Sequence, residues 1–300
     1  MVARLNGAYG GRARSQAYLD LAQEHFLHWM LTEGVFGDGV VAFKGGTALR
    51  KFHFGKAGRF STDLDFWSAD PIYTDHVIGW LNIGFEHQGV RFGSKNLEDE
   101  GEIHAEWWAE TDELGRTDEP SSIEFSFRHR FVGTTVPDER PPIPGVDGSM
   151  GFDPVRVPVY DLLENVAEKL ARIRRSPKAR DFYDLALIGP NMDEAHLPRI
   201  RRLTAWKVFL DFHEGMRIPT PFRGGQYFFE IDPTSILGME DIGRLAGRSM
   251  NAEELSEKLS LYFGRMGPPA GDLEQRLSRC GPADYHWAQS QLASWDVNLT

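Results

Sequence analysis

A short apolar run, Val40 to Phe43, leads straight into a glycine pair, Gly45-Gly46, and then into Thr47-Ala-Leu-Arg-Lys-Phe. The apolar run contains adjacent β-branched residues and reads as a buried strand. The glycines read as a turn, and the better helix formers after them predict a helix starting near Gly46 or Thr47. This pattern confines the front of the chain to an α/β arrangement. A strand passing through glycines into a helix start presents backbone N–H groups and a positive dipole end, which suits phosphate. Glycine also lets phosphate approach with no Cβ in the way. The pattern is not a P-loop, because Lys44 precedes the glycines instead of following them before a Ser or Thr.

Soon after comes Phe60-Ser-Thr-Asp-Leu-Asp-Phe-Trp67. Read as a strand, its period of two puts Ser61, Asp63 and Asp65 on one face and Thr62, Leu64 and Phe66 on the other. Two carboxylates at i and i+2 repel unless a cation lies between them. Mg²⁺ takes few protein carboxylates and completes its shell with water and substrate phosphate oxygens. The competing reading is a pair of solvated loop carboxylates, common by chance in a chain with 44 acidic residues.

A third carboxylate lies on another alternating segment, Ser121 to Arg128. Ile123, Phe125 and Phe127 face one way, and Ser122, Glu124 and Ser126 the other. Glu124 therefore either projects beside the aspartates or lies on a solvated strand face. Downstream, Asp161 and Glu164 resemble a capping box opening a helix, with Leu162, Val166, Leu170 and Ile173 as its apolar stripe. Lys169 sits at the edge of that stripe, where it either snorkels to solvent or reaches a triphosphate as a point charge. The run Arg172 to Arg180 carries Arg172, Arg174, Arg175, Lys178 and Arg180. Such a run is either a solvated helix end or a patch facing phosphate or RNA. Asp181 and Asp184 follow, as helix caps or as catalytic groups.

The 300-residue chain is long enough for one large domain or two. Its net charge of −11 argues against broad nonspecific nucleic-acid binding while leaving room for a local basic patch. With Cys280 alone, no intramolecular disulfide or cysteine-rich zinc site can form. No apolar run approaches the ~18 residues of a membrane span and no leader opens the chain, so a cytoplasmic protein is expected. Ser15 to Glu33 reads as an amphipathic helix, with Leu19, Phe26, Trp29 and Met30 inward and His25 and His28 on its surface. The proline-rich stretch Val136 to Pro158 reads as an interdomain linker or a loop over the site. Beyond it, helices are expected at 160–175, 181–188, 194–213 and 251–265, with one strand at Gln226 to Ile231. The expected fold is α/β (α+β), a small mixed sheet with flanking helices over 1–150 and a mostly helical region over 151–300.

Together FKGGTAL, RFSTDLDF, IEFSFR and EKLARIRRSPKARDFYDL resemble the AbiEii/AbiGii (MenT-like) nucleotidyltransferase toxins of the DNA polymerase β-like superfamily. The resemblance spans roughly residues 40–190 and lies in the order and spacing of four motifs. It implies transfer of nucleotides from an NTP to the 3′ end of tRNA, blocking translation, with a cognate antitoxin as partner. It further implies Asp63 and Asp65 on two Mg²⁺ ions (Mn²⁺ as substitute), with Glu124 as third metal carboxylate where Asp is commoner. Lys44, Gly45, Gly46, Thr47, Ser61 and Lys169 would meet the nucleotide, and Lys169 and Asp184 would join the aspartate pair in catalysis. Asp181 would play a secondary part, and Arg172, Arg174, Arg175, Lys178 and Arg180 would face RNA. A phosphate on Ser61, at about −2 charge beside two aspartates, would block triphosphate binding. The alternatives keep the chemistry with a protein or small-molecule acceptor, or keep only a non-enzymatic binding module.

Overall fold

The computed structural model describes residues 13–99, 103–117, 121–128, 132–143, 146–148, 150–175, 178–213 and 252–266, with isolated positions at 272, 283, 286–287 and 290. Two compact units emerge, one of Met1–His129 with Thr134–Tyr160, the other of Arg130–Gly133 with Asp161–Thr300. The α/β class expected from the sequence holds, since a mixed sheet and helices build the chain.

In the first unit, helix α1 (Ala13–Thr32) accompanies strands β1 (Val41–Lys44), β2 (Leu64–Ser68), β3 (Phe85–His87), β4 (Val90–Asp99) and β5 (Ile103–Thr111). Strands β6 (Gly115–Arg116), β7 (Ser121–Ser126), β8 (Thr134–Thr135) and β9 (Val159–Tyr160) complete a sheet ordered β3-β4-β5-β7-β2-β1-β9-β8, with β6 on β5. The sheet is mixed because β2 runs parallel to β7 but antiparallel to β1. A helical run follows β1, α-helical as α2 (Gly45–Leu49) and π-helical over Arg50–Phe54, and α3 (Pro71–Ile83) follows β2. Asp70 caps α3 by accepting from the Ile72 N–H.

Alternation sets which face each strand buries. Leu64, Phe66, Ile123 and Phe125 are wholly buried, and the Phe66 and Phe125 rings stack at 5.1 Å. Leu19, Phe26, Trp29 and Met30 of α1 join the same core, as their spacing predicts. The sheet's other face keeps Asp65 and Glu124 half-buried.

Two expectations need correcting here. The proline-rich stretch is folded structure of the first unit. Ile143, Val146 and Met150 pack on Ala17 and Leu21 of α1, and Val155, Val157 and Val159 enter the main core. The chain then returns to the sheet as β9 beside β1, so the unit runs on to Tyr160. His25 is also not a surface residue; it is 3% exposed and packs edge-on against Phe152 at 5.0 Å. Proximity in sequence to polar Glu24 concealed this, because Glu24 is itself buried.

Glu24 belongs to a buried ionic network. Lys51 pairs with Asp20 at 2.6 Å and Glu24 at 3.0 Å, and Arg50 with Asp20 at 2.7 Å. Arg140 joins Glu24 at 2.9 Å to Asp147 at 3.0 Å. Burial raises the Glu24 pKa, but the Lys51 and Arg140 charges outweigh it and hold the carboxyl below its ordinary value. Removing one partner of such a set costs about 3–5 kcal/mol, since the others stay buried and uncompensated.

In the second unit, α4 (Leu162–Arg175), α5 (Ala179–Ile188), α6 (Leu197–His213) and α7 (Ala252–Met266) stand close to the expected spans. Asp161 does cap α4, accepting from the Leu163 N–H at 2.8 Å. Glu164 does not close a capping box; it accepts from the Val132 N–H at 2.8 Å and pairs with Lys207. Arg265 closes the end of α5 by donating to the carbonyls of Gly189 and Met192. The strand expected at Gln226 to Ile231 lies outside the described residues.

The buried histidines carry a pH prediction. His28 and His87 share a hydrogen bond of 2.7 Å, and neither ring nitrogen of His25 has a hydrogen-bond partner among the described residues. Burial first, and then the neighbouring His87 and His28, push His25 from 6.5 down to about 4, while nearby Glu24 pulls the other way. The unfolded chain therefore binds a proton between those values that the folded chain refuses. This stability is full above pH 6.5 and is lost as pH falls toward 4, by up to about 3 kcal/mol. Thermal unfolding from pH 7.5 to 4.5 should show the decline, and His25→Phe should flatten it relative to wild type.

Candidate active site

The glycine pair is fixed by what lies against it. Gly45 has φ +78°, and a Cβ there would fall 2.1 Å from Asp65 Oδ2. At Gly46 a Cβ would fall 2.2 Å from Arg59 Nη2 and 3.2 Å from Ser61 Oγ. Position 45 thus needs glycine for its left-handed backbone and for the carboxylate packed on it. At position 46 a Cβ would displace the Arg59 guanidinium. The helical run begins at Gly45, marginally earlier than expected.

The two aspartates are held differently. Strand β2 starts at Leu64, so Ser61 and Asp63 precede it and only Asp65 is a strand residue. The strand expected from Phe60 is shorter because Phe60 to Asp63 makes other bonds. Gln23 of α1 donates to the carbonyls of Ser61 at 3.1 Å and Thr62 at 3.0 Å. Thr47 donates to the Asp63 carbonyl at 2.5 Å, and Ser121 to the Thr62 carbonyl at 2.5 Å. Asp63 Oδ1 accepts from the Thr62 and Ser122 hydroxyls, each at 3.0 Å. Both aspartates are half-buried.

Sheet register supplies the rest of the row. Lys44 of β1 is the cross-strand partner of Asp65, and Glu124 of β7 is its partner on the other side. His104 of β5 in turn faces Glu124. Lys44 is 8% exposed, donates to Ser126 Oγ at 2.7 Å and lies 5.9 Å from the Tyr160 ring centroid. Glu124 thus stands beside Asp65 as its alternation suggested. Among the described residues, no three His, Cys, Asp or Glu side chains converge into a metal cage. The donors at hand are carboxylate oxygens, which suit a hard ion that keeps most of its shell for water and phosphate.

In the second unit, Lys169 Nζ lies 2.7 Å from Asp184 and 3.4 Å from Asp181, and Arg172 Nε lies 3.6 Å from Asp181. Lys169 is buried, so it does not snorkel to solvent. Neither aspartate caps its helix; α5 starts at Ala179, and both carboxylates turn to cations instead. Arg172 and Arg180 are half-buried and Lys178 exposed. The side chains of Arg174 and Arg175 lie outside the described residues.

Several residues at this site escaped the sequence reading. Arg59 sits in a motif already singled out, yet nothing in its spacing shows that it folds onto Gly46. Ser122, Thr62 and Gln23 act through hydrogen bonds, which leave no periodic trace.

Three comparisons bear on this geometry. The family model described as nucleotidyl transferase AbiEii toxin, type IV TA system, matches residues 31–268. Among solved structures the chain is similar to MenT4, a nucleotidyltransferase toxin from Mycobacterium tuberculosis H37Rv. That match has a TM-score of 0.86 and 30% identity, over 98% of this chain and 99% of that one. No curated protein matches.

Two substitutions test the turn. Gly45→Ala should lower stability by about 1–2 kcal/mol from backbone strain alone and displace the Asp65 carboxylate. A loss of Mg²⁺-dependent NTP binding larger than the drop in Tm explains would show it, and unchanged binding would refute it. Ser61 is 6% exposed with its hydroxyl beside Gly46, so Ser61→Glu should abolish NTP binding while Ser61→Ala retains most of it, read by calorimetry.

Proposed function

The chain belongs to the AbiEii nucleotidyl transferase toxin family of type IV toxin–antitoxin systems, and from that premise we propose that it transfers nucleotides from an NTP to the 3′ end of tRNA in the cytoplasm. As a nucleotidyltransferase toxin it has a nucleotide substrate and an antitoxin partner. The observation that carries the finer reading is the pairing of an anchored Asp63 with an Asp65 carboxylate seated on Gly45.

In the proposed reaction a bond forms between the acceptor 3′ oxygen and the α-phosphorus. The bond from that phosphorus to the β-bridging oxygen breaks, pyrophosphate leaves, and the hydroxyl proton passes to water. Mg²⁺ would supply charge neutralisation on the phosphates and activation of the attacking hydroxyl. Asp63 and Asp65 would hold it, with Glu124 beside Asp65 as further donor. The chain's own work is positioning. The Ser122 and Thr62 hydroxyls fix the Asp63 rotamer, and Thr47 fixes its backbone. Gly45 leaves the space that Asp65 occupies, and Gly46 with Ser61 faces the triphosphate. Lys44 offsets the carboxylates across the strand. Lys169 and Asp184 join the same chemistry by resemblance to the family, and the basic run from Arg172 to Arg180 meets the acceptor.

Purified protein with Mg²⁺, total tRNA and each labelled NTP in turn is the test. One NTP or more should label a band that RNase removes and protease spares. Asp63→Asn and Asp65→Asn should each cut the rate by at least about 100-fold, the scale of losing charge stabilisation in a transition state. Labelling that survives RNase and vanishes with protease would move the acceptor to a protein, and full labelling by Asp65→Asn would end the proposal.

A further inference from the structure

We infer that Arg59 is a triphosphate-binding residue of this site, its guanidinium seated in the space that Gly46 leaves by having no side chain. The inference rests on the reading of the site as a nucleotidyltransferase centre and names a group within it.

Arginine is seldom buried unless it is paired, and Arg59 is 8% exposed. Its guanidinium reaches the glycine turn through Nη2, since a Cβ on Gly46 would come within 2.2 Å of Nη2 and 3.0 Å of Cζ. The Ser61 hydroxyl closes on the same point, at 3.2 Å. Its Nη1 donates to the Phe60 carbonyl at a long 3.4 Å. Position 46 has an ordinary backbone conformation, so no φ demand explains its glycine. The space for the guanidinium does.

The turn therefore sets opposite charges on adjacent glycines. The Asp65 carboxylate lies on Gly45 and the Arg59 guanidinium on Gly46. An NTP with its metal has the same division, with the cation on the carboxylate side and phosphate oxygens left over. A guanidinium is the side chain that meets such oxygens two at a time. Lys44, the other cation by the turn, is directed to Ser126 Oγ at 2.7 Å, away from that role.

Full-length wild type, Arg59→Gln and Arg59→Lys should be titrated with Mg²⁺ and three probes: the preferred NTP, inorganic tripolyphosphate, and the matching nucleoside monophosphate as competitor. Arg59→Gln should weaken NTP and tripolyphosphate binding about 10- to 100-fold, the scale of a lost charged hydrogen-bond pair, and leave the monophosphate within about twofold. Arg59→Lys should recover only part of the loss. Equal losses for all three probes would reduce Arg59 to a shaper of the turn and overturn the inference, as would NTP binding within twofold of wild type. If Arg59→Gln does not fold, Arg59→Lys decides by the same selectivity for triphosphate over monophosphate. Wild-type protein that binds no NTP at all would instead bring down the proposed function, and this assignment with it.

Discussion

The site depends on where one helical run, Gly45 to Phe54, is pinned. Its first residue receives the Asp65 carboxylate. Its middle is locked by Arg50 and Lys51, whose charges meet Asp20 and Glu24 of α1 inside the first unit. Lys51, Asp20 and Glu24 are fully buried, so these ions have no water to fall back on. An uncompensated charge there costs several kcal/mol, a large share of a domain's total stability. The network therefore selects one placement of the run, and Arg140 extends the constraint to the proline-rich loop. A turn holding two charged groups on two glycines tolerates little displacement, which is a physical reason for so rigid a mounting.

Around the turn, hydroxyls orient the acids. The Asp63 carboxylate accepts hydrogen bonds from the Ser122 and Thr62 hydroxyls, and its carbonyl accepts one from Thr47. Such bonds restrict its rotamer, so the carboxylate loses little freedom when it binds a partner. Lys44 on one side of Asp65 and Glu124 on the other place opposite and like charge in one row across the sheet. Under the proposed function, that like charge is what a bound cation would offset.

How much of this could be read in the sequence depended on whether a residue's role follows a period. Leu64, Phe66, Ile123 and Phe125 alternate, and their burial followed. The helices of the second unit announce themselves by stripes of leucine and isoleucine, and the mixed α/β class by the order of strands, glycines and helices. Asp63, Asp65, Glu124 and Lys169 were picked out by motif, and the geometry adds their partners. What stayed hidden are long-range polar contacts. Lys51 and Asp20 look like surface charges in any local window, and only the fold reveals them as a core. His25 sits among polar neighbours and is buried all the same. The prolines of 136–158 excluded helix and central strand correctly, but they do not report that Ile143, Val146 and Met150 would find α1. Arg59 is the sharpest case, because a contact with the Cα of a glycine has no signature except the glycine itself.

Net charge bears on how such a site would choose its acceptor. At −11 the chain as a whole repels a polyanion, and the repulsion grows as salt falls. Under the proposed function, tRNA has to be drawn by local contacts against that background. The run from Arg172 to Arg180 carries five basic residues, of which Arg172 is drawn to Asp181 at 3.6 Å. The salt dependence of acceptor affinity scales with the number of cations that meet phosphate, so this run sets how steep it can be. Under the proposed function, discrimination among acceptors would then come from the fit of the 3′ end at the carboxylates rather than from general attraction to RNA.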